Sequence, residues 1–300
     1  MNDTPRPTGT PYSPSVLVTG ATGNLGREVA DRLQAHDVRV RRLVRRQPAP
    51  RSSTAGTAVG DLTDPAAVRA ALDGIDAVLL LWPLLDSGPA HALAAELAAA
   101  APRVVYVSST AIDDRAARQS DPIVQVHADM EALLREAGLR PVVLRSDTLA
   151  SNTRGWAAQL QAGDVITGTD IARTAVVDER DVADAAVAAL LAPPPAPPQE
   201  GQPDPGPYVL TGPEVLSRAD QVAQLGAALR RELTFRPLPA DLARSRMRAD
   251  GRPEQLVEAL LAASANRPES RRVTDHVKRL TGRPPGTFAQ WAADHAAEFS

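Results

Sequence analysis

The chain of 300 residues contains no cysteine. This excludes a disulfide, a thiol nucleophile and a zinc–thiolate site. Lysine is nearly absent too, because Lys278 is the only one, and no lysine lies near the motifs described below. No apolar run reaches the ~18 residues that a membrane span needs, and the polar, proline-rich first residues lack the apolar core of a signal peptide. We therefore expect a soluble, cytoplasmic protein without a membrane partner.

Charge and histidine spacing disfavour two further classes of function. The formal net charge is −3, which argues against a nucleic-acid partner held mainly through its phosphates. The five histidines are scattered without the spacing of metal ligands. We expect neither a nucleic-acid partner nor a metal site. The sequence leaves the oligomeric state open, and a homo-oligomer is possible.

Short apolar segments alternate with helical patterns from Ser15 to about Leu191. After Asp76, the segment "DAVLLLW" is apolar, as in a parallel strand that helices cover on both faces. In "DPAAVRAALDG", Asp64 is the expected N-cap and Pro65 the first helical residue. This alternation predicts an α/β fold with a doubly wound parallel sheet. The later segments are mostly helical and predict a small C-terminal lobe.

The segment "LVTGATGNLG" places Gly20, Gly23 and Gly26 between the first strand and the first helix. In such a strand–turn–helix unit the first glycine allows a tight turn and the second lets the backbone approach a pyrophosphate. The third lets the helix pack on the strand. The N–H groups around Asn24 and Leu25 would face the phosphates. We therefore expect a Rossmann-type dinucleotide site that also includes Thr22. The alternative is a glycine-rich turn with a structural role only.

The second strand ends in "RRLVRRQP" without an acidic residue. An NAD site usually places a carboxylate here for the 2′-hydroxyl of the ribose. Arg45 and Arg46 could instead bind a 2′-phosphate through charge-assisted hydrogen bonds. The sequence thus favours NADP(H) over NAD(H) as cofactor. The alternative is that both arginines are simply solvated.

Three further strand ends carry candidate site residues. Asp61 and Leu62 follow the third strand and could contact the adenine, or form a simple turn. Leu81 and Trp82 follow the fourth strand, and Trp82 could line the nicotinamide or substrate pocket, or lie in the core.

The fifth strand ends in "VSST". Ser108 and Ser109 could hydrogen-bond a carbonyl substrate or the nicotinamide ribose, and they are our tentative catalytic serines. Alternatively they cap the following segment.

These patterns predict four parts of the chain. They are a disordered tail (1–14), the NAD(P)-binding Rossmann domain (15–192, with 151–171 contributing to the lobe), a proline-rich loop (193–207) and a C-terminal substrate lobe (208–300). Four aromatic residues in or near the lobe are able to form an apolar pocket: Trp156, Phe235, Phe288 and Trp291. Such a pocket would favour an enzyme.

Six segments in order resemble the atypical short-chain dehydrogenase/reductases, and most closely the NmrA-like, quinone-reductase-like group. They are "VTGATGNLGREVADRL", "LVRR", "GDLTDP", "VVYVSS", "HADMEALLREAGLRPVVLR" and "AVVDERDVADAAVAALL". The resemblance implies an NADP(H)-binding Rossmann domain with a small substrate lobe. It runs from about Ser15 to the C-terminus.

The wider superfamily has a catalytic Tyr-x-x-x-Lys pair on the helix after the fifth strand, followed four residues later by Glu. Aligned on Glu131, the chain has Ile123 at the Tyr position and His127 at the Lys position. The NmrA-like group commonly lacks the pair. His127, with an ordinary pKa near neutrality, could donate a proton or hold the nicotinamide ribose. Alternatively it is a half-buried helix residue that bonds a neighbouring backbone.

Three functions remain open at this point. The first is an NAD(P)H-dependent oxidoreductase that reduces a quinone-like or conjugated carbonyl substrate. Reduction of such a substrate has less need of a dedicated acid, because the anion that forms is stable. The substrate would be a small molecule, for example an aromatic intermediate of secondary metabolism. The second is an NADP-sensing regulator of the NmrA type without turnover. The third is a tailoring enzyme that couples or rearranges an aromatic substrate.

Overall fold

The structure is a computed structural model that describes residues 14–46, 56–192, 206–270 and 272–299. All but Pro14 of the expected N-terminal tail lies outside the described residues, and so does all but residues 206–207 of the expected proline-rich loop. Within the described residues, no helix combines the length and apolar character that crossing a bilayer would take.

A parallel sheet of seven strands forms the centre of the described chain. Strands are numbered in chain order, and the sheet contains β1 (Ser15–Val18), β2 (Arg39–Val44), β3 (Thr57–Val59), β4 (Ala77–Leu80), β5 (Arg103–Ser109), β6 (Val142–Ser146) and β8 (Tyr208–Leu210). Their spatial order is β3-β2-β1-β4-β5-β6-β8. The order reverses between β1 and β4, which creates the crevice where ligands of open α/β sheets bind.

Helices cover both faces of this sheet, as the apolar strands predict. In the described residues they are α1 (Asn24–Ala35), α2 (Pro65–Leu72), α3 (Ala90–Ala100), α4 (Pro122–Glu136), α5 (Ala157–Ala162), α6 (Glu179–Leu191), α7 (Arg218–Leu229), α8 (Ala240–Ala249), α9 (Glu254–Asn266), α10 (His276–Thr281) and α11 (Phe288–Asp294). α1 and α6 pack on one face, where Val29, Leu33 and Val182 are fully buried. α2, α3 and α4 cover the other face through a second core cluster. The predicted Rossmann-type α/β fold is confirmed.

The helix boundaries follow local chemistry. Asp64 caps α2 by accepting a hydrogen bond from Ala66 N at 2.9 Å, and Pro65 is the first helical residue, as expected. Asp121 caps α4 in the same way through Ile123 N at 2.8 Å. These caps fix where each crossover helix leaves the C-terminal edge of the sheet.

One part of the expected domain division is wrong. Residues from 208 onward were expected to belong to the substrate lobe, but β8 pairs in parallel with β6, with Ser146 beside Leu210. β8 therefore completes the main sheet, because it satisfies the backbone groups on the outer edge of β6. α10 likewise packs on α6, and its Val277 is fully buried in the core of the Rossmann domain.

The remaining C-terminal elements form the lobe. Two short strands, β7 (Val165–Gly168) and β9 (Thr234–Pro237), pair in parallel. Trp156, Phe288 and Trp291 are buried in a separate core cluster, against which Phe235 packs. The aromatic residues expected to line a pocket are thus the core of the lobe. Their apolar surface is buried in contacts that stabilise the lobe.

The close contact between the first turn and α1 gives a stability test. A Cβ atom added at Gly26 would lie 2.2 Å from the carbonyl oxygen of Gly20. Gly26→Ala should therefore lower the free energy of unfolding by about 1–3 kcal/mol, the usual cost of overpacking. Gly155→Ala is the matched control, since nothing lies within 4 Å of its added Cβ. Equal denaturation midpoints for the two variants would contradict the packing described here.

Candidate cofactor and active site

The turn after β1 lies at the point where the strand order reverses. Gly20 has a φ of 60°, a left-handed conformation that favours glycine. The hydroxyl of Thr19 accepts a hydrogen bond from Leu81 N at 2.7 Å and lies 3.1 Å from Leu81 O. These contacts join the ends of β1 and β4. The Leu81 side chain also lies against Gly20, so Leu81 borders the crevice between β1 and β4.

The start of α1 has the shape that a dinucleotide phosphate requires. Thr22, Gly23 and Asn24 are exposed, while the side chain of Leu25 is buried in the core. Only the backbone of Leu25 can therefore face a ligand. The first N–H groups of a helix have no carbonyl partner within it and carry the positive end of its dipole. Gly26 packs closely on Gly20, and this contact places the start of α1 at the crevice. The residues at this helix start therefore fit a bound dinucleotide.

Arg45 and Arg46 are exposed just beyond β2, next to this turn in the sheet. Asp61, beyond β3, accepts hydrogen bonds from the backbone N–H of Thr63 at 2.9 Å and from its hydroxyl at 2.8 Å. These bonds lower the pKa of Asp61, and the charge of Arg45 contributes further. Asp61 thus forms the turn that was one of its two alternatives, close to the arginine expected to bind a phosphate.

Leu62 and Trp82 both pack against the core cluster beneath α2 and α3. Leu62 is partly buried against the core cluster below α2. Trp82 is 8% exposed within the same cluster, and its indole N–H donates to Asp86 O at 3.1 Å. For Trp82 these contacts favour the core alternative. Most of its ring is consumed in packing.

The two serines at the end of β5 make internal hydrogen bonds. Ser108 is buried and donates to Glu131 Oε1 at 2.6 Å. The hydroxyl of Ser109 accepts from Ala111 N at 3.2 Å, which is the capping contact anticipated as its alternative. Ser108 therefore holds Glu131. Its oxygen keeps only acceptor capacity for a ligand.

Glu131 is the centre of a buried ionic network that the sequence did not reveal. Arg145 of β6 donates to both of its carboxylate oxygens at 2.9 Å, and Arg135 donates at 3.0 Å. Burial alone would raise the pKa of Glu131, but the hydrogen bonds from Arg145 and Ser108 outweigh it and lower the pKa. Arg145 continues to Asp114 at 2.6 Å. The carboxylate is therefore ionised, and its hydrogen bonds stabilise the structure.

The face of α4 that carries Glu131 also carries Ile123 and His127, because residues four apart share a helix face. His127 Nδ1 lies 2.8 Å from the hydroxyl of Tyr106, which is fully buried on β5. Burial lowers the pKa of His127 to about 4, the charge of Arg267 adds to this, and Glu131 and Asp121 oppose it. The imidazole is therefore neutral at physiological pH. His127 therefore cannot act as an imidazolium acid, which was one of the roles considered for it.

The tautomer of His127 follows from its partner. Among the described residues, Nδ1 is the acceptor within reach of the Tyr106 hydroxyl. A buried hydroxyl needs an acceptor, so we assign its proton to the bond toward Nδ1. The ring proton then lies on Nε2. His127 can therefore act as a neutral hydrogen-bond donor. Tyr106 lies in an apolar strand, so only a spatial contact could reveal this second role.

Two clefts open beside α4. One has a volume of about 320 Å³ and is bordered by Asp86, Ser87, Gln125 and Asp129 among others. The other, of about 170 Å³, reaches Asp114, Glu131 and Arg145. Both are lined largely by polar side chains, so the ionic network lies next to solvent at the C-terminal edge of the sheet.

The reversed strand order, the glycine turn and the exposed start of α1 define a Rossmann-type dinucleotide-binding protein. The family model described as NAD(P)H-binding matches residues 20–193, which span this unit from the turn to the end of α6. The chain belongs to this NAD(P)H-binding family.

Two curated relatives match nearly the whole chain. The (4-alkanoyl-5-oxo-2,5-dihydrofuran-3-yl)methyl phosphate reductase of Streptomyces griseus is 36% identical over 95% of this chain and 99% of its own. An NAD(P)H azoreductase of Xenophilus azovorans is 31% identical with the same shares covered.

The solved structure of an NADPH-dependent quinone oxidoreductase from Escherichia coli, complexed with NADPH, aligns with a TM-score of 0.73. Its sequence identity is 21%, and the alignment covers 93% of this chain and 99% of that one. This likeness shows a shared fold. The expected class, an NAD(P)H-dependent oxidoreductase, is confirmed, and the shared fold agrees with the expected resemblance to the quinone-reductase-like group.

The state of His127 can be measured directly. Since its folded pKa is about 4, the ring should stay uncharged from pH 8 down to about pH 5, while an unfolded chain would bind a proton below about pH 6.5. The free energy of unfolding should therefore fall as the pH drops from 6.5 to 4. Nitrogen NMR of the imidazole, assigned with His127→Gln, should show one Nε2–H tautomer in this range.

Tyr106→Phe is the matched variant for the tautomer. It removes the hydroxyl and should leave a mixture of the two neutral tautomers. A ring that titrates near pH 6.5 in the wild type would contradict the burial of His127, and an unchanged tautomer in Tyr106→Phe would contradict the assigned hydrogen bond.

Proposed function

We propose that this NAD(P)H-dependent oxidoreductase reduces a small molecule with a quinone-like or conjugated carbonyl group, with NADPH preferred. One observation carries the proposal. At the two positions where the superfamily has its acid pair, the chain has Ile123, which cannot donate a proton, and His127, whose ring is neutral.

The bound cofactor supplies a hydride. An isolated ketone that gains a hydride becomes an alkoxide, which is strongly basic and needs a proton donor in the site. A quinone or a carbonyl-conjugated double bond instead forms a delocalised, weakly basic anion. A hydrogen bond from a neutral group suffices for such an anion. A site with Ile123 and a neutral His127 therefore suits the second class of substrate.

The residues of this chain have the following roles in the proposal. His127 Nε2–H donates to the substrate oxygen or to the nicotinamide ribose, and Tyr106 is a positioning residue that holds the required tautomer. Glu131, fixed by Ser108 and Arg145, holds α4 in place. The backbone at Gly20–Gly26 binds the phosphates of the dinucleotide, and Leu81 borders the crevice.

The relatives support the same class of acceptor. The substrate in the name of the Streptomyces enzyme has a ring double bond conjugated with two carbonyl groups, and it also carries a phosphate. The azoreductase reduces an azo group, another conjugated acceptor. An origin of the substrate in secondary metabolism agrees with the first relative.

The preference for NADPH is supported by position and charge. Arg45 and Arg46 are exposed where the ribose of a bound dinucleotide is expected, and no hydrogen bond within the described residues engages their side chains. A 2′-phosphate would find two available guanidinium groups there, while a 2′-hydroxyl would find no carboxylate at the end of β2.

A sensor without turnover has less support. The exposed large apolar side chains of the described residues, Val59, Val165, Leu242 and Val273, belong to four different segments. Scattered apolar residues of this kind are normal on protein surfaces, whereas a docking surface for a partner requires a contiguous patch. The reductase names of both curated relatives also favour turnover.

The decisive experiment follows NADPH oxidation by the purified protein with 1,4-naphthoquinone and with cyclohexanone. We expect turnover of the quinone and none of the isolated ketone. Arg45→Asp should raise the KM for NADPH about ten- to a hundredfold, because a charge-assisted hydrogen bond is worth ~1.5–3 kcal/mol, and should leave the KM for NADH nearly unchanged.

The control for this variant is Arg140→Asp. It changes an exposed arginine that precedes β6, at the N-terminal end of the strands and away from the candidate site. Its KM values should equal those of the wild type. Reduction of cyclohexanone at a rate similar to that of the quinone would contradict the proposed substrate class. Equal effects of Arg45→Asp on both cofactors would contradict the 2′-phosphate contact.

A further inference from the structure

Arg218 is a cation in an unfavourable place. It is the first residue of α7, and its guanidinium lies over the ring of the buried Trp156 at 5.5 Å from the centroid. Its Nε is buried without a hydrogen-bond partner. Among the described residues, no carboxylate lies within 4.0 Å of its guanidinium. The residue as a whole is half-buried, but a buried polar group such as this Nε normally has a partner.

The surroundings add to this cost. The N-terminus of a helix carries partial positive charge, which disfavours a cation at its first position. Burial lowers the pKa of Arg218, and the charge of Arg267 lowers it further, while Asp170 opposes both. Asp170 is exposed, and its Oδ1 accepts a hydrogen bond from Ile171 N at 3.0 Å. Thr174 N donates to Leu216 O at 3.0 Å, and the neighbouring Arg173 O accepts from Ser270 N at 2.9 Å, so the segments that carry Arg218 and Arg267 lie side by side.

Arg267, the second cation, also keeps free donors. It follows α9 and approaches Asp147 Oδ1 at 3.8 Å, an ion pair too long for a hydrogen bond. Asp147 is buried and already accepts from Thr148 N and from the hydroxyl of Ser270, both at 2.6 Å. Ser270 N in turn donates to Arg173 O at 2.9 Å. These bonds hold the segment after α9 beside the end of β6.

This pair lies next to the candidate active site. The hydroxyl of Ser120, just before α4, donates to Asn266 O at 3.4 Å, which places the residue before Arg267 at the start of the helix that carries His127. The charge of Arg267 also helps to lower the pKa of His127. On the other side, Gln221 lies one turn after Arg218 on α7, is 2% exposed, and has its Nε2 buried without a partner. Among the described residues, Arg218 Nε and Gln221 Nε2 are therefore two buried donors on α7 that have no acceptor.

We propose that Arg218 and Arg267 bind a phosphate monoester carried by the substrate, beside the conjugated group that approaches His127. This inference rests on the proposed function, since it specifies the substrate of the same site. A guanidinium offers paired N–H donors that match phosphate oxygens. A dianion between the two arginines would offset their repulsion and supply the missing acceptors. The lobe would then select the substrate through its charged end.

The test uses the complete protein saturated with NADP⁺ and measures binding by calorimetry. The probe is 1-naphthyl phosphate, and 1-naphthol is its neutral match. We expect the phosphate to bind at least tenfold more tightly than the naphthol. Arg218→Gln and Arg267→Gln should each weaken the phosphate about ten- to a hundredfold and leave 1-naphthol within about twofold. Arg218→Lys, which keeps the charge, should lose less than Arg218→Gln.

The control is Arg248→Gln on α8 of the same lobe, where the arginine pairs with Glu254 at the surface. It should bind both probes like the wild type. Equal wild-type affinities for phosphate and naphthol, or losses in Arg218→Gln and Arg267→Gln no larger than in Arg248→Gln, would overturn the proposal. If Arg218→Gln lowers the melting temperature so far that binding cannot be measured, the affinities of Arg267→Gln and Arg218→Lys for 1-naphthyl phosphate test the proposal instead.

Two further readouts separate the possible sources of the anion. The affinity for NADP⁺ should be unchanged in Arg218→Gln and Arg267→Gln, and a loss equal to that of the probe would assign the arginines to the cofactor and overturn the proposal. 1-Naphthoate should bind more weakly than the phosphate, and the reverse order would overturn the choice of phosphate. Binding of 1-naphthyl phosphate without reduction of any quinone would contradict the proposed function and leave the anion site standing.

Discussion

The position of α4 on the sheet depends on the carboxylate of Glu131. This one group accepts hydrogen bonds from Ser108 on β5 and from Arg145 on β6, the two strands beneath the helix. Removing one partner of a buried ion pair typically costs ~3–5 kcal/mol, because the other charge stays buried. The contact therefore fixes the register of α4 against the ends of both strands. It also explains why a charged residue stands on the buried face of this helix.

His127 is placed by the same contact, because it lies one turn before Glu131 on the same face of α4. Its ring meets the hydroxyl of Tyr106 on β5, and burial keeps it uncharged. The superfamily's phenol and ammonium are thus replaced by an alkyl side chain and a neutral imidazole. Acceptors that form stable anions suit such a site. On the lobe side, Arg218 and Arg267 are the cations that we propose bind the charged end of the substrate.

The sequence predicted those features that depend on local order along the chain. The glycine turn, the cap at Asp64 and the alternation of strands and helices follow from spacing, and the structure has each of them. It could not predict contacts between distant segments. β8 joins the sheet because β6 has an open edge, which no local pattern records. Tyr106 lies in an apolar strand, so its bond to His127 appears only in three dimensions. The same holds for Arg145, and for Arg218 and Arg267, which are ordinary surface arginines when read along the chain.

The central claim is that the site works with a neutral His127 and without an ionisable acid. The most direct test is the pH dependence of kcat/KM for a conjugated acceptor such as 1,4-naphthoquinone, measured with NADPH between pH 5.5 and 8.5. The account predicts a flat profile, because the imidazole is already uncharged throughout this range. A profile that falls as pH rises through about 6.5, and that becomes flat in His127→Gln, would show an imidazolium acid at work and would contradict the account.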